Sequence, residues 1–319
     1  MSSERFRSIL LLVILALFGS TACSTLGLLG EVQDNLQKSF QVEPGGKLTL
    51  ESDLGSVDVT PGTGNTVTIR VEREAKAHTK EDAEKILKDM TFDFRQESKN
   101  VFVTAKYKHG GLFRSNWGNR IQLKFMVTVP SKYDLDLKTA GGSMKVNDLE
   151  GSVVAHTSGG SLHFGRIIGP VTANTSGGSI HLDGGTGSVA VDTSGGSIKI
   201  GKVAGSLRAH TSGGSISVDE VMGAIQASTS GGSVSATISQ QPEADCELST
   251  SGGSVHVRLK RDLNLNLLAK CSGGSISTDI PLTVQGEMGK SRLEAKLNQG
   301  GAQLYLHTSG GGISISELK

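Results

Sequence analysis

The sequence is poor in aromatic residues, which make up 4% of its 319 residues and include one tryptophan. A core built from such a chain must consist of small aliphatic side chains. Apolar residues make up 36% and 43 residues are glycine, which together is the content of an ordinary globular chain. We therefore expect a globular protein of one or two domains.

The sequence also lacks an apolar segment long enough to cross a membrane. Its N-terminal apolar run, residues 9–18, has about half of the roughly 20 residues that a spanning helix needs. Arg5 and Arg7 precede this run and small residues follow it, which is the layout of a secretory signal peptide. We therefore predict that residues 1–22 are a signal peptide rather than a transmembrane anchor.

The end of this segment resembles the lipobox of bacterial lipoproteins, in which a cysteine after small residues is acylated and becomes the first residue. Cys23 holds that position, so we predict an exported cell-envelope protein with a lipid in the membrane and a tether over residues 23–45. Ser24 favours the outer membrane in a host with two membranes. Ser20 stands where the lipobox usually has leucine, so cleavage without acylation stays open.

The chain has no excess of charge of either sign. Of its 32 basic and 31 acidic side chains, Glu4, Arg5 and Arg7 belong to the signal segment, and the remainder balances. A neutral chain has no overall attraction to nucleic acid, so we expect no nucleic-acid partner.

A repeat dominates the rest of the sequence. Successive copies from 139 to 229 begin 18 residues apart, and three later copies follow after intervals of 21, 21 and 37 residues. The pentapeptide Thr-Ser-Gly-Gly-Ser begins at 157, 175, 193, 211, 229 and 250, and variants of it begin at 139, 271 and 308. A short fixed period of this kind is typical of stacked coils.

Each repeat contains two short alternating segments. Counted from the threonine, apolar residues recur at offsets 5 and 7 and again at 14 and 16, as in Ile198, Ile200, Leu207 and Ala209. Such alternation predicts two strands in each coil, and it places the threonine at an inward position as well. Glycine in Ser-Gly-Gly and at offset 12 would permit the positive φ of a corner. We predict an all-β fold, a single-stranded β-helix (β-solenoid) of 18-residue coils over residues 139–319.

The preceding region, residues 46–138, follows the same pattern in part. Residues 48–59 repeat the inward positions of residues 135–146, which predicts an early coil of the same body. Thr79 can cap a helix over residues 79–91 whose apolar stripe includes Ala83 and Leu87. We expect this one short α-helix to cover the N-terminal end of the solenoid, and residues 293–306 to close the other end.

Over residues 40–319 the chain resembles the bacterial putative-adhesin domains, a family of unknown function with Gly-rich β-coils behind a secretion signal. The resemblance is carried by Val-Thr-Val-Pro at 127–130, by the stretch 135–143, and by Leu-Asn-Gln-Gly-Gly at 297–301 ahead of 308–311. It implies a β-helix-like fold and a role at the cell surface. The family offers no catalytic residues to carry over.

The glycine pairs do not predict a cofactor site. No Lys-Ser or Lys-Thr follows them and no helix begins there, so they are not phosphate-binding loops. They also lack the aspartate of a calcium-binding β-roll. We therefore expect no cofactor.

His163, His181 and Lys199 share offset 6, together with Lys145 and His256. Stacked coils would place them in one outward column with a spacing of about 4.8 Å. No cysteine or carboxylate shares their offset, so we predict a solvated outward column as a candidate site and no metal site.

Asp183 and Asp219 share offset 8 and would lie two coils apart, about 9.5 Å, within the range of inverting glycosidases. Aspartate at the end of a strand is also ordinary turn chemistry, so we expect no enzyme here.

One segment, residues 110–120, departs from the repeat and holds the only tryptophan. Its Phe113, Arg114, Trp117 and Arg120 are residue types that dominate recognition sites, so we predict a binding loop for a glycan or an envelope protein. The alternative is that Phe113 and Trp117 pack against the end of the solenoid.

Cys246 and Cys271 lie four residues apart along the repeat frame and one coil apart, which predicts a separation of about 14 Å. A disulfide needs Cα atoms within about 7 Å, so we predict two buried free thiols.

Three functions remain open at this point. We expect a non-enzymatic surface lipoprotein that acts as an adhesin-like binding or scaffold protein. The alternatives are a self-associating structural element of the envelope and a polysaccharide-acting β-helix enzyme.

Overall fold

The structure, a computed structural model, describes residues 30–108 and 121–318. Within these ranges two long β-sheets, here named A and B, enclose one apolar core, and a single short helix, α1 (Lys80–Lys88), lies near the N-terminal end. The predicted β-solenoid is therefore confirmed. None of the helical segments described there is both long and apolar enough to cross a membrane.

Each regular coil contributes one strand to each sheet, and neighbouring strands are parallel. From β8 to β19 in sheet B, each residue pairs with the one 18 positions later, as Val171 does with Val189, and the step to β21 is 21 residues, as from Gln226 to Glu247. In sheet B these strands are β8 (Asp134–Thr139), β11 (Val153–Thr157), β13 (Val171–Thr175), β15 (Val189–Thr193), β17 (Leu207–Thr211), β19 (Ile225–Thr229) and β21 (Cys246–Thr250). In sheet A they are β9 (Met144–Val146), β12 (Leu162–Ile168), β14 (Ile180–Gly185), β16 (Ile198–Val203), β18 (Ile216–Val221), β20 (Val234–Ile238) and β22 (Val255–Leu259), with the short β10 (Leu149–Glu150) beside β12.

The inward positions predicted from the repeat form the core. Ile198, Ile200 and Leu207 are buried, and so is the repeat threonine, for example Thr193. The Thr193 hydroxyl donates a hydrogen bond of 2.7 Å to the carbonyl oxygen of Gly178 in the preceding coil. A buried hydroxyl that is bonded in this way costs little, so a thin aliphatic core can include one threonine per coil.

The glycines of the Ser-Gly-Gly corner have a different role from the one predicted. None of those in the described residues has a left-handed φ. A Cβ on Gly178 would lie 2.1 Å from the carbonyl oxygen of Gly160, so close stacking of the backbone demands glycine there. A Cβ on the preceding Gly177 would meet its nearest atom at 3.5 Å, an ordinary contact. Positive φ applies instead at the second corner, to Gly151 (151°) and Gly169 (148°).

The N-terminal strands continue both sheets. They are β1 (Gly30–Gln41), β2 (Lys47–Ser52), β3 (Ser56–Gly62), β4 (Thr66–Ala77), β5 (Met90–Glu97), β6 (Asn100–Tyr107) and β7 (Ile121–Pro130). Leu48 pairs with Leu135 and Val57 with Met144, which confirms the predicted early coil. On their other sides β2 and β3 pair with β6 and β7, so the first coil in the sequence is the second in space. The antiparallel strands β1, β4 and β5 complete this end.

Two predictions about this end need correction. Residues 30–41 of the predicted tether form β1, because their alternating side chains pair with β4 and partly bury Val32, Leu36 and Phe40 against the core. Helix α1 is also shorter than the predicted 79–91. It begins after Thr79, whose hydroxyl accepts the amide of Asp82 at 3.1 Å, and it ends at Lys88, before β5. It packs against β1, β4 and β5 and so covers the end of the core, as predicted.

The C-terminal strands do not stack in the order of the sequence. They are β23 (Leu265–Cys271), β24 (Ile276–Thr278), β25 (Thr283–Met288), β26 (Arg292–Leu297), β27 (Ala302–Thr308) and β28 (Ile313–Glu317). The last coil, β27 with β28, lies between the coil of β21 and β22 and the coil of β23 and β24. Residues 293–306, which were predicted to close this end, fall in two strands with different positions. β26 forms an antiparallel hairpin with β25 at the edge of sheet B, whereas β27 is an internal strand.

Cys246 and Cys271 are free and buried, as predicted. The expected distance between their Cα atoms is larger, however, because β27 lies between their strands. Cys246 pairs with Leu304, and Leu304 pairs with Leu267. Two coil steps and four residues of strand correspond to about 16 Å rather than 14 Å. Burial raises the pKa of the Cys246 thiol, which favours its neutral form.

Candidate functional site

The predicted binding loop lies outside the described residues. Phe113, Arg114, Trp117 and Arg120 all fall within residues 109–120, between the end of β6 and the start of β7. Cys23 lies outside them as well. The roles assigned to these five residues stay predictions, and a candidate site has to be built from the outward face of the solenoid.

The outward column predicted on sheet A is present and is here called the sheet-A column. It consists of the in-register residues Lys145, His163, His181 and Lys199. The rings of His163 and His181 are stacked, with centroids 4.8 Å apart and planes inclined by 23°. The spacing follows from the pairing of adjacent parallel strands, so the backbone fixes it.

Asp183 joins this column, which the sequence analysis did not anticipate. Its Oδ1 lies 2.8 Å from His181 Nε2, because residues two apart on a strand point to the same side of the sheet. Its neighbours in β12 and β16 are Gly165 and Gly201, which carry no side chains. The candidate carboxylate partner Asp219 lies beyond Gly201 in β18, so glycine separates the two aspartates.

A second column, which the sequence analysis missed, lies on the outer face of sheet B. Its members share offset 17, and all are polar. This sheet-B column consists of Lys138, His156, Asn174, Asp192 and His210. Asn174 Nδ2 lies 3.2 Å from His156 Nδ1, and His210 Nδ1 lies 2.9 Å from the Ser228 hydroxyl of the next coil. This column could have been predicted from the sequence, because the alternation within each repeat makes offset 17 a position that points outward.

The sheet-B column borders a shallow groove of about 230 Å³. Its other wall is the Ser-Gly ridge, which is formed by the exposed first serine and first glycine of successive corners, beginning with Ser158, Ser176 and Ser194. Lys138, His156, Asn174 and Asp192 face it from the column. The groove therefore runs across successive coils and offers both donors and acceptors of hydrogen bonds.

Hydrogen bonds between coils hold the ridge in place. The amide of Gly177 donates to the carbonyl oxygen of Ser158 at 3.0 Å, and the amide of Gly195 donates to that of Ser176 at 3.0 Å. The second serines of the corners are linked as well, since the Ser161 hydroxyl accepts the amide of Ser179 at 3.2 Å. The repeat threonines add a bond from each hydroxyl to a glycine carbonyl of the coil before. Since every coil repeats these contacts, the groove is a preorganised surface rather than a flexible one.

At the corner of sheet A, Glu220 is the one described carboxyl group with a clear pKa shift. Hydrogen bonds from Ser239, at 2.7 Å, and from Lys202, at 3.0 Å, lower its pKa. A general acid needs a raised pKa, so this shift is in the wrong direction for the acid of a glycosidase.

The chain matches a known protein family and resembles several solved structures. The family model of Toastrack DUF4097 matches residues 46–316. The chain belongs to the Toastrack DUF4097 family. This is a domain of unknown function, and the resemblance to bacterial adhesin-type domains drawn from the sequence is confirmed. The Toastrack region begins just before β2 and ends within β28, so β1 adds a strand outside it.

Three solved structures are similar to the Toastrack chain. A "putative cell adhesion protein" of Clostridium sporogenes is 13% identical, with a TM-score of 0.26, over 89% of this chain and 100% of that chain. A "putative adhesin" of Bacteroides fragilis is 12% identical, with a TM-score of 0.40, over 89% and 97%. A "putative lipid binding protein" of Parabacteroides distasonis is 11% identical, with a TM-score of 0.37, over 90% and 97%. At these TM-scores the likenesses carry no argument about function. No curated protein matches the chain.

Proposed function

We propose that this protein is a non-enzymatic cell-envelope lipoprotein whose rigid solenoid binds an extended polymer, as an adhesin does. The observation that carries the proposal is the groove between the sheet-B column and the Ser-Gly ridge, which crosses successive coils with a continuous polar lining. The ligand is a glycan of the envelope or of a neighbouring cell. A lipid on Cys23 holds the protein in the membrane, in the outer one where the host has two.

The shape of the groove favours a polymer over a small molecule. Small ligands are bound in concave pockets of about 300–1,000 Å³ that bury most of their surface. This groove is smaller, shallow and polar, but successive coils, about 4.8 Å apart, each contribute a polar outward side chain to it. A chain of sugar units lying along it can make one weak contact per coil, and many such contacts add up because the surface is already ordered.

The carboxyl groups of sheet A argue against catalysis. Hydrogen bonds from Ser239 and Lys202 lower the pKa of Glu220, whereas glycoside hydrolysis requires one member of its carboxylate pair to stay protonated. Asp183 is hydrogen-bonded to His181, and Gly201 separates it from Asp219.

A glycan and cell-wall array with the full-length protein tests the proposal. The variant with His156→Ala, Asn174→Ala and Asp192→Ala should lose the binding that wild type shows. A control with His256→Ala and Asp219→Ala, which changes similar residues on sheet A, should keep it. Release of sugar from the bound polymer would contradict the non-enzymatic part. Filaments in place of glycan binding would favour the self-associating alternative.

A further inference from the structure

His163, His181 and Asp183 form a cluster on the outer face of sheet A that the groove on sheet B does not use. One ligand atom from each of the three side chains lies within 4.8 Å of the other two. His163 is on β12, whereas His181 and Asp183 are on β14, so two adjacent coils contribute. No metal site was predicted from the sequence, because no carboxylate shares the offset of the histidines, but in the structure Asp183 supplies a carboxylate from the next outward position.

The two imidazole nitrogens and the carboxylate oxygen suit a borderline divalent metal ion, one that is intermediate between hard and soft. Zn²⁺ is bound by imidazole nitrogen at about 2.0–2.1 Å and by carboxylate oxygen at about 2.0–2.2 Å. Ligand atoms at those lengths in a tetrahedron are about 3.3 Å apart, so the cluster has to contract by about 1.5 Å. Exposed side chains achieve this by small rotations, and the strand pairing has already brought their backbones together.

The surroundings leave room for the ion and for a fourth ligand. Gly201 flanks Asp183 on one neighbouring strand and carries no side chain, whereas on the other side the Asp148 carboxylate lies against Gly165 and accepts the amide of Arg166 at 2.8 Å. Asp183 is exposed and His181 is partly exposed, which gives water access to the remaining position. Three protein ligands with one open position are the arrangement of zinc sites that bind a further molecule.

Lys145 and Lys199 are the charges that oppose a cation here, since they flank the two histidines in the sheet-A column. Both are exposed, and their long side chains can turn their ammonium groups into solvent. Their repulsion is screened at physiological ionic strength, where the Debye length is about 8 Å. They therefore weaken the site without removing it.

We propose that His163, His181 and Asp183 bind a borderline divalent metal ion, with Zn²⁺ as the first candidate. The ion links two successive coils and keeps one coordination position open toward solvent. This site is independent of the glycan groove, which lies on the other sheet.

Isothermal titration of the tag-free protein with ZnCl₂ tests the proposal, because an affinity tag of histidines would hide the signal. Wild type should bind one Zn²⁺ at a site that the variants His163→Ala and Asp183→Asn weaken. Loss of an outer-shell partner alone costs about 10–100-fold in affinity, so loss of a ligand should cost at least as much. Lys199→Ala should tighten binding, because it removes a repulsive charge.

The matched control is His256→Ala, which removes a histidine of the same offset whose neighbours in sheet A are serines. It should bind Zn²⁺ as wild type does. Equal affinity in wild type, His163→Ala and Asp183→Asn would overturn the site, as would the absence of any binding by wild type. Circular dichroism of each variant shows that it is folded, and Zn²⁺ should raise the melting temperature of wild type, His256→Ala and Lys199→Ala more than that of His163→Ala or Asp183→Asn.

Discussion

Thr308 is the in-register neighbour of Thr250 in sheet B, although Cys271 holds the next copy of the repeat along the chain. The final coil is thus inserted between two earlier coils, and Leu304, Leu306 and Ile313 are buried from both sides. The N-terminal end has the mirror arrangement, since β2 and β3 lie between β6 and β7 on one side and β8 and β9 on the other. Neither of these inserted coils can detach without breaking its pairing on both sides.

Removal of the last coil should therefore be far more damaging than removal of an internal one. Deletion of residues 299–319 takes away four buried apolar side chains, Leu304, Leu306, Ile313 and Ile315, each of which contributes about 1.5–3 kcal/mol. It also removes the strands that join the coil of β21 and β22 to the coil of β23 and β24. We expect the C-terminal coils to unfold, with loss of circular-dichroism signal.

The control for this truncation is deletion of residues 193–210, a whole internal coil. The flanking coils can then pair in the same register, because each coil mainly contacts its neighbours. This variant should keep its β signal, whereas deletion of nine residues from the same coil should not. Similar melting temperatures for the two long deletions would show that the inserted coil has no special role.

The buried threonine column should make a measurable contribution to stability. Thr193→Val keeps the shape of the side chain but removes the hydroxyl that bonds to the Gly178 carbonyl at 2.7 Å. A buried acceptor left without a partner costs about 1–3 kcal/mol, and denaturant unfolding should report a loss of that size. Thr172→Val, at an exposed position of the adjacent coil, should change the free energy of unfolding by less than about 0.5 kcal/mol.

Tyr133 should make the protein sensitive to alkaline pH. Burial raises its pKa to about 12, and its hydroxyl donates a hydrogen bond to the carbonyl of Lys99. The Tyr133 hydroxyl ionises near pH 10 in the unfolded chain and near pH 12 in the folded protein. The free energy of unfolding should therefore fall between about pH 10 and pH 12, by up to about 1.4 kcal/mol per pH unit, and the stabilisation is fully present only below about pH 10. Tyr133→Phe should flatten that part of the stability profile. Tyr305→Phe, on the outer face of sheet B, should leave it unchanged.

The register of the solenoid was predictable because inward positions recur at fixed offsets. Burial at those offsets is the main source of stability, so every coil must obey the same pattern, and Leu48 could be aligned with Leu135 from sequence alone. The order of the end coils was not predictable. A repeat identifies which residues are equivalent, and pairing in parallel sheets lets equivalent residues such as Thr308 and Cys271 stack in either order.

The candidate sites were predictable only in part. The stacking of His163 on His181 follows from their shared offset. Asp183 was missed because its offset differs by two, although alternation along a strand puts both positions on one face. The groove beside His156 and Asn174 depends on the angle between the corner and sheet B, which composition and spacing do not specify.

The lipid anchor should depend on Cys23 alone. Cys23→Ala removes the thiol that would be acylated, and cleavage by an ordinary signal peptidase would then release a soluble protein into the envelope. Membrane fractions should contain the wild type and lack the variant. As a control, Cys246→Ala removes a buried thiol and should stay in the membrane fraction. Equal retention of Cys23→Ala and wild type would disprove acylation as the anchor.

The two glycines of one corner should respond differently to the same substitution. A methyl group on Gly178 would lie 2.1 Å from the Gly160 carbonyl oxygen, so Gly178→Ala forces the backbones of two coils apart. Overpacking of this kind costs about 1–3 kcal/mol, and thermal unfolding should show it as a lower melting temperature. Gly177→Ala meets only an ordinary contact at 3.5 Å and should be neutral or stabilising by up to about 1 kcal/mol, since alanine restricts the unfolded chain. Equal losses in both variants would mean that the corner needs glycine for its backbone angles. A loss confined to Gly178→Ala would show that the stacking of the coils requires the second glycine of this corner and not the first.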